Sequence, residues 1–322
     1  MAKKVHNRIL TAALSLFSIF FLFFALKSVG FDKIADAFKR VGWLGAAVLV
    51  TFGILENGSD ALALCFAMPK KIKLIRVFPS NCIGALVNYI IPWEAGELAK
   101  IALLKGPYGA ENSIKGIILW NYVFKLSKAC ALLSMLLISL LLGADFEAEH
   151  FFIVLAASGL AFLPYFGVMI LLKFNVSTRA VRLIQFVTKK DAAELRAKAE
   201  KMDYDLNCFK KERPRDFYLT IIIQFIARYF SLMTFVLCTR FAGFDSMTLS
   251  TVVFAYCAVT LSNYFAAVIP MKLGVDEGVG YAIFAFLGLD GSVGLLIKFI
   301  IRIKSIIAMS LASLLIVFNK EH

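Results

Sequence analysis

The chain is poor in the residues that soluble enzymes draw on. Only 18% of its 322 residues are charged, seven are proline and three are histidine. His6, His150 and His322 lie near a terminus or in a loop, which argues against a histidine-based metal site or triad. The six cysteines (65, 82, 130, 208, 238 and 257) form no CxxC pair and no framework spacing, so reduced thiols are expected. GxSxG with partners, the P-loop and HExxH are all missing, so no catalytic set, cofactor or metal is expected, nor an ATP-driven pump.

Apolar sequence fills the space instead. The chain is 60% hydrophobic and 14% aromatic, with a mean hydropathy of +0.80. Soluble domains are nearer half apolar, so this is an integral membrane protein. Its 31 phenylalanines read as lipid-facing packing, and Trp43 and Trp120 as interfacial anchors. Apolar runs of roughly 20 residues are long enough to cross a bilayer as helices. Spans are predicted at about 9–29, 41–66, 113–143, 151–172, 216–241 and 292–318, with a short interfacial helix at 30–40. The first run has no cleavage pattern and reads as a span, not a signal peptide.

The net charge of +13 is unevenly placed. Segment 67–76 holds Lys70, Lys71, Lys73 and Arg76 without an acid, and 173–215 holds twelve Lys/Arg against six Asp/Glu. Segment 144–150 holds Asp145, Glu147 and Glu149 without a base. Basic loops stay in the cytoplasm, which predicts cytoplasmic termini, a cytoplasmic linker at 173–215 and attraction to anionic lipid there. Nucleic-acid binding is not indicated.

One signature occurs twice, 178 positions apart. Asn88-Tyr89 precedes Pro92, with Gly96-Glu97 after it; Asn263-Tyr264 precedes Pro270, with Gly274 and Asp276-Glu277 after it. Both copies interrupt apolar sequence. If 77–104 crossed only once, the loop charges would be inverted twice, so it reads as a re-entrant broken helix. Segment 248–290 reads the same way from the opposite face, although its first arm is long enough to span alone. The predicted fold is therefore an all-α polytopic membrane protein of about six spans and two broken segments in an inverted pseudo-repeat, with halves 1–172 and 216–322. Matched broken helices are where transporters of this design hold substrate.

Charged residues deep in a span cost roughly 2.5–3.5 kcal/mol each and default to function. Arg228 falls in the middle of one span. Lys125 and Lys128 form an i, i+4, i+7 stripe with Asn121. Glu56 and Asp60 are spaced i, i+4, as are Lys298 and Arg302, with Lys304 nearby. Glu94, Glu97, Asp276 and Glu277 add carboxylates at the broken segments. Structural ion pairs or snorkelling explain any one of these residues. The set points to a polar cavity, where arginine suits phosphate because its planar fork bonds two oxygens. Helix N-termini after Pro92 and Pro270 would add amide donors.

The pattern Asn88…Pro92-x3-Gly96-Glu97-x2-Lys100, followed by Pro270…Gly274-Val-Asp-Glu277, resembles the flippase-like domain family. This is the membrane region of the bacterial lysylphosphatidylglycerol synthase/flippase, and the likeness covers nearly the whole chain. Met271-Lys272 stands where relatives often carry a glycine pair. Asn121-Tyr122-Val123-Phe124-Lys125 stands where they carry an acid–arginine stretch ending in aspartate. The resemblance implies movement of a lipid between the leaflets of a bacterial or archaeal cytoplasmic membrane, without lysyl-lipid synthesis. The expected cargo is an anionic, phosphate-bearing lipid or a polyprenyl-phosphate sugar carrier. Lys125, Lys128, Arg228 and Arg302, with Asn88 and Asn263, are expected to bind the head. Glu97 and Glu277, with Pro92, Gly96, Pro270, Gly274, Glu56, Asp60 and Asp276, are expected to gate or couple. The alternatives are a non-transporting membrane partner of a lipid-modifying or glycosyltransferase complex, and an intramembrane enzyme.

Overall fold

The computed structural model describes residues 31–90, 95–143, 152, 193–245, 247–265 and 275–314. The elements there are all helices: α1 (Phe31–Ala67), α2 (Leu74–Ile90), α3 (Ala95–Tyr108), α4 (Ala110–Leu141), α5 (Ala193–Glu212), α6 (Pro214–Phe241), α7 (Leu249–Phe265), α8 (Val275–Phe286) and α9 (Gly291–Ser313). The spans expected at 9–29 and 151–172 lie outside the described residues.

Among the described residues, three helices are long and apolar enough to cross a membrane: Lys39–Ala67, Ala110–Leu141 and Pro214–Phe241. They answer to the expected spans 41–66, 113–143 and 216–241. Pro214 starts α6 where its missing N–H costs nothing. Gly42 (φ 55, ψ −177) interrupts α1, in the left-handed region that glycine enters without penalty. The first turns of α1 are thereby set apart from the span, as the predicted interfacial helix requires. α9 begins at Asp290, whose carboxylate accepts from the Ser292 amide at 2.9 Å. It is long enough to span but carries three cations, Lys298, Arg302 and Lys304.

The two broken segments are helix pairs. α2 and α3 have 17 and 14 residues, α7 and α8 have 17 and 12. The described part of each arm is shorter than the roughly 20 residues a bilayer core takes. Pro92, Pro270 and Gly274 lie outside the described residues. Small residues let the arms close: a side chain at Gly96 would strike the Gly84 carbonyl of α2 and, at 2.6 Å, the Asn88 amide carbon. Gly280 of α8 and Gly294 of α9 approach each other in the same backbone-to-backbone manner.

The packing exchanges partners between the halves. α1 packs on α6 at the centre. The first arms lie on long helices distant in sequence: α2 on α9, α7 on α4. The second arms lie on the long helices that follow them: α3 on α4, α8 on α9. α1 also packs on α9 as α6 packs on α4.

Two apolar clusters hold this arrangement. One takes Leu49 of α1, Ala129–Leu136 of α4, Leu232–Cys238 of α6, Val252–Leu261 of α7 and Val293–Ile300 of α9. The other takes Ala61–Ala67 of α1 with Met68 just beyond it, Leu104 of α3, Ile117–Val123 of α4, Phe209 of α5 and Phe217 of α6. Along α1, α4 and α6 alike, a short stretch separates the two clusters. On α1 and α6 that stretch contains the charges: Glu56 and Asp60, and Arg228.

Candidate functional site

Between the clusters lies a polar cavity of about 330 Å³. It draws on six helices: Glu56 and Asn57 (α1), Asn88 (α2), Phe124 (α4), Arg228 (α6), Asp276 (α8), and Arg302 and Ser305 (α9). Both halves and one arm of each broken segment therefore contribute to one chamber.

Two arginine–carboxylate groups form its ends. Arg228 places Nη2 2.7 Å from each carboxylate oxygen of Asp60 and Nη1 3.6 Å from Glu56 Oε1. Its guanidinium stands 4.8 Å over the Phe124 ring. The helical spacing of Glu56 and Asp60 sets both on the face of α1 that meets α6. Arg302 lies 2.6 Å (Nε) from Glu277 Oε1 and 3.5 Å from Asp276 Oδ2. Those acids occupy the first turn of α8, where the helix dipole favours negative charge. Glu56 joins the two ends: its Oε2 is 3.7 Å from Lys304 Nζ on α9.

Trp120 backs this chamber. It is 4% exposed, and its indole N–H donates to the Asp60 carbonyl at 3.0 Å. The expectation of an interfacial anchor fails for Trp120, because its ring is buried and its indole N–H finds its acceptor inside the protein. Trp43, 94% exposed, keeps that reading. Lys100 lies 4.1 Å over the Trp120 ring and 3.1 Å from Glu97. Asn88 accepts from the Gly96 N–H at 2.7 Å, so the α2 asparagine satisfies an amide at the start of α3.

The structure thus gathers Glu56, Asp60, Asn88, Arg228, Asp276, Glu277 and Arg302, with Gly96 at the α2–α3 crossing. Glu97 belongs to the neighbouring Lys100–Trp120 group. Lys125 and Lys128 are half-buried on α4 and do not line the cavity; Phe124 takes the place expected of them. Asn263 stands in the last turn of α7, and its side chain lies outside the description. Sequence reasoning missed Phe124 and Ser305. Ser305 was findable, one turn beyond Arg302. Phe124 was not, since the Asn121–Lys125–Lys128 stripe pointed to the lysines instead.

Every cation here already has an acid within reach, so the chamber is bipolar rather than simply basic. Polar capacity is left over: Arg228 Nε and Glu97 Oε2 are buried without a hydrogen-bond partner among the described residues. No curated protein and no solved structure matches the chain. A family model described as "Lysylphosphatidylglycerol synthase TM region" matches residues 9–313. With this helical membrane architecture and nearly full-length match, the chain belongs to the lysylphosphatidylglycerol synthase transmembrane-region family.

Proposed function

We propose that the protein moves a phosphate-bearing lipid between leaflets, with its head in the chamber between the two broken helices. One observation carries the reading: a chamber lined by α1, α2 and α4 together with α6, α8 and α9, and walled by two arginines, Arg228 and Arg302. An ion-pair network serving only the fold has no need to enclose space. Family membership supports a lipid-associated role, and the exchange of packing partners suits alternating access about a central site.

The bipolar wall narrows the cargo. A phosphate reaches Arg228 or Arg302 only by loosening a carboxylate from it. That carboxylate then needs a new partner, because a buried unpaired charge is costly. A head with hydroxyl or amine donors supplies the partner directly; otherwise a proton does. A phosphate ester bearing such donors, as in phospholipid and sugar-carrier heads, fits both signs of the wall.

The test is translocation of fluorescent phosphatidylglycerol by the pure protein in phosphatidylcholine vesicles, read by quenching of the outer leaflet. Arg228→Ala should abolish it. Normal movement in that variant would remove Arg228 from the mechanism, and no movement by the wild type would remove the reading itself.

A further inference from the structure

A second cavity, larger and apolar, opens between α1 and α9. It has a volume of about 750 Å³, within the range of small-molecule sites. Val41, Ala46, Leu49 and Val50 form one wall, Ile300 and Ile303 the other. Lys39 and the exposed ring of Trp43 stand at the Gly42 end. Lys304 stands at the inner end, and its side chain is only 4% exposed.

Three observations identify what this groove fits. The first is continuity. Lys304 lines the groove, and its ammonium lies 3.7 Å from Glu56, which lines the polar chamber. Gly53 lets the lysine stem pass: a side chain there would stand 3.2 Å from Lys304 Cδ and 3.0 Å from Ala308 Cβ. The second is length. Val41 to Val50 covers about 14 Å of helix rise, close to half of the roughly 30 Å hydrocarbon core. The third is charge. Its inner end carries a cation, which suits the junction of an apolar chain with a phosphate.

We propose that this groove binds one hydrocarbon chain of the transported lipid, with Lys304 marking the point where chain gives way to head. The proposal rests on the chamber being the headgroup site. It adds where the chain lies, and that α1 and α9 form the side entrance. Diacyl phospholipids and polyprenyl phosphates share the necessary chemistry.

Full-length protein in detergent would be titrated with phosphatidylglycerols of increasing, water-soluble chain length, beginning with the dibutanoyl form. Short and long prenyl phosphates form a parallel series. Each added methylene should tighten binding about fourfold until the groove is full. The series that shows this names the source. Ala46→Phe and Ile303→Trp, on opposite walls, should flatten the dependence while leaving dibutanoyl binding unchanged. That second readout shows the variants still fold. A chain-length dependence unaltered by both variants would overturn the groove and leave the chamber standing. The groove also fails if a photoreactive residue at Val50 captures residues 9–29 of this chain instead of lipid. Failure of the wild type to bind any member would overturn the headgroup reading and the groove with it.

Discussion

The Arg228–Asp60 pair separates a structural from a transporting role. Both side chains are nearly buried, at 10% and 13% exposure, and meet at 2.7 Å. Arg228→Met leaves the Asp60 carboxylate facing methylene groups. Breaking a buried pair from one side costs about 3–5 kcal/mol. Glu56 is not stranded as well, because Lys304 remains 3.7 Å away. At about 2 °C per kcal/mol for a large domain, melting should fall by roughly 6–10 °C, measurable by thermal unfolding in detergent. The double variant Asp60→Leu with Arg228→Met removes both charges, a replacement that is often neutral or stabilising. Its melting temperature should return to within a few degrees of wild type. Its lipid translocation should stay lost, because the Arg228 guanidinium is gone and, of the chamber's two arginines, Arg302 alone is left for phosphate. A stable Arg228→Met protein would refute the burial argument. A stable double variant that transports would refute the role given to Arg228.

Four further outcomes follow from named contacts. Arg213 donates to the Met68 carbonyl at 2.7 Å and the Phe66 carbonyl at 2.9 Å while Asp216 holds its other edge at 2.6–2.8 Å. Arg213→Ala should cost about 2–3 kcal/mol by denaturant titration, and Arg213→Lys should recover only part, lacking the fork. Gly96→Ala drives a methyl into the Gly84 carbonyl and should prevent the α2–α3 pair from closing, seen as loss of the monodisperse species. Gly58→Ala, whose added carbon meets only Phe78 at 3.9 Å, should be neutral or stabilising by up to about 1 kcal/mol. Ser139 and Ser250 each donate to the other's carbonyl, at 2.9 and 2.6 Å, tying α4 to α7. Ser139→Ala should cost about 0.6–1.7 kcal/mol, the range for such bonds between membrane helices, in a melting assay.

Much of the fold was legible because the membrane makes errors costly. Uncharged runs of the right length had few alternatives to spanning, and α1, α4 and α6 appear within a few residues of their expected bounds. Gly96 marked a close crossing, because a side chain there would strike the Gly84 carbonyl. The buried charges announced themselves in the same way, since each needs a partner at that depth. The direction in which α4 faces was misread: the Asn121–Lys125–Lys128 stripe pointed to the lysines, and nothing in the sequence ranked Phe124 above them. Trp120 was misread because an indole suits an interface and a buried donor equally well in one dimension. The Arg213 contact was beyond reach, since its acceptors are backbone carbonyls some 145 residues away in the chain.

The two arginines of the α5–α6 region have a mechanical consequence. Arg213 holds the last carbonyls of α1 and Arg228 holds Asp60 farther along, with Thr220 reaching the Ala63 carbonyl between them at 3.5 Å. These fastenings cover about 22 Å of α6. Sliding α1 past α6 by even one turn would break all of them together. If the proposed transport holds, a head would pass through the chamber with α1 and α6 acting as a single post. The movement would then fall to the short arms and long helices arranged around it.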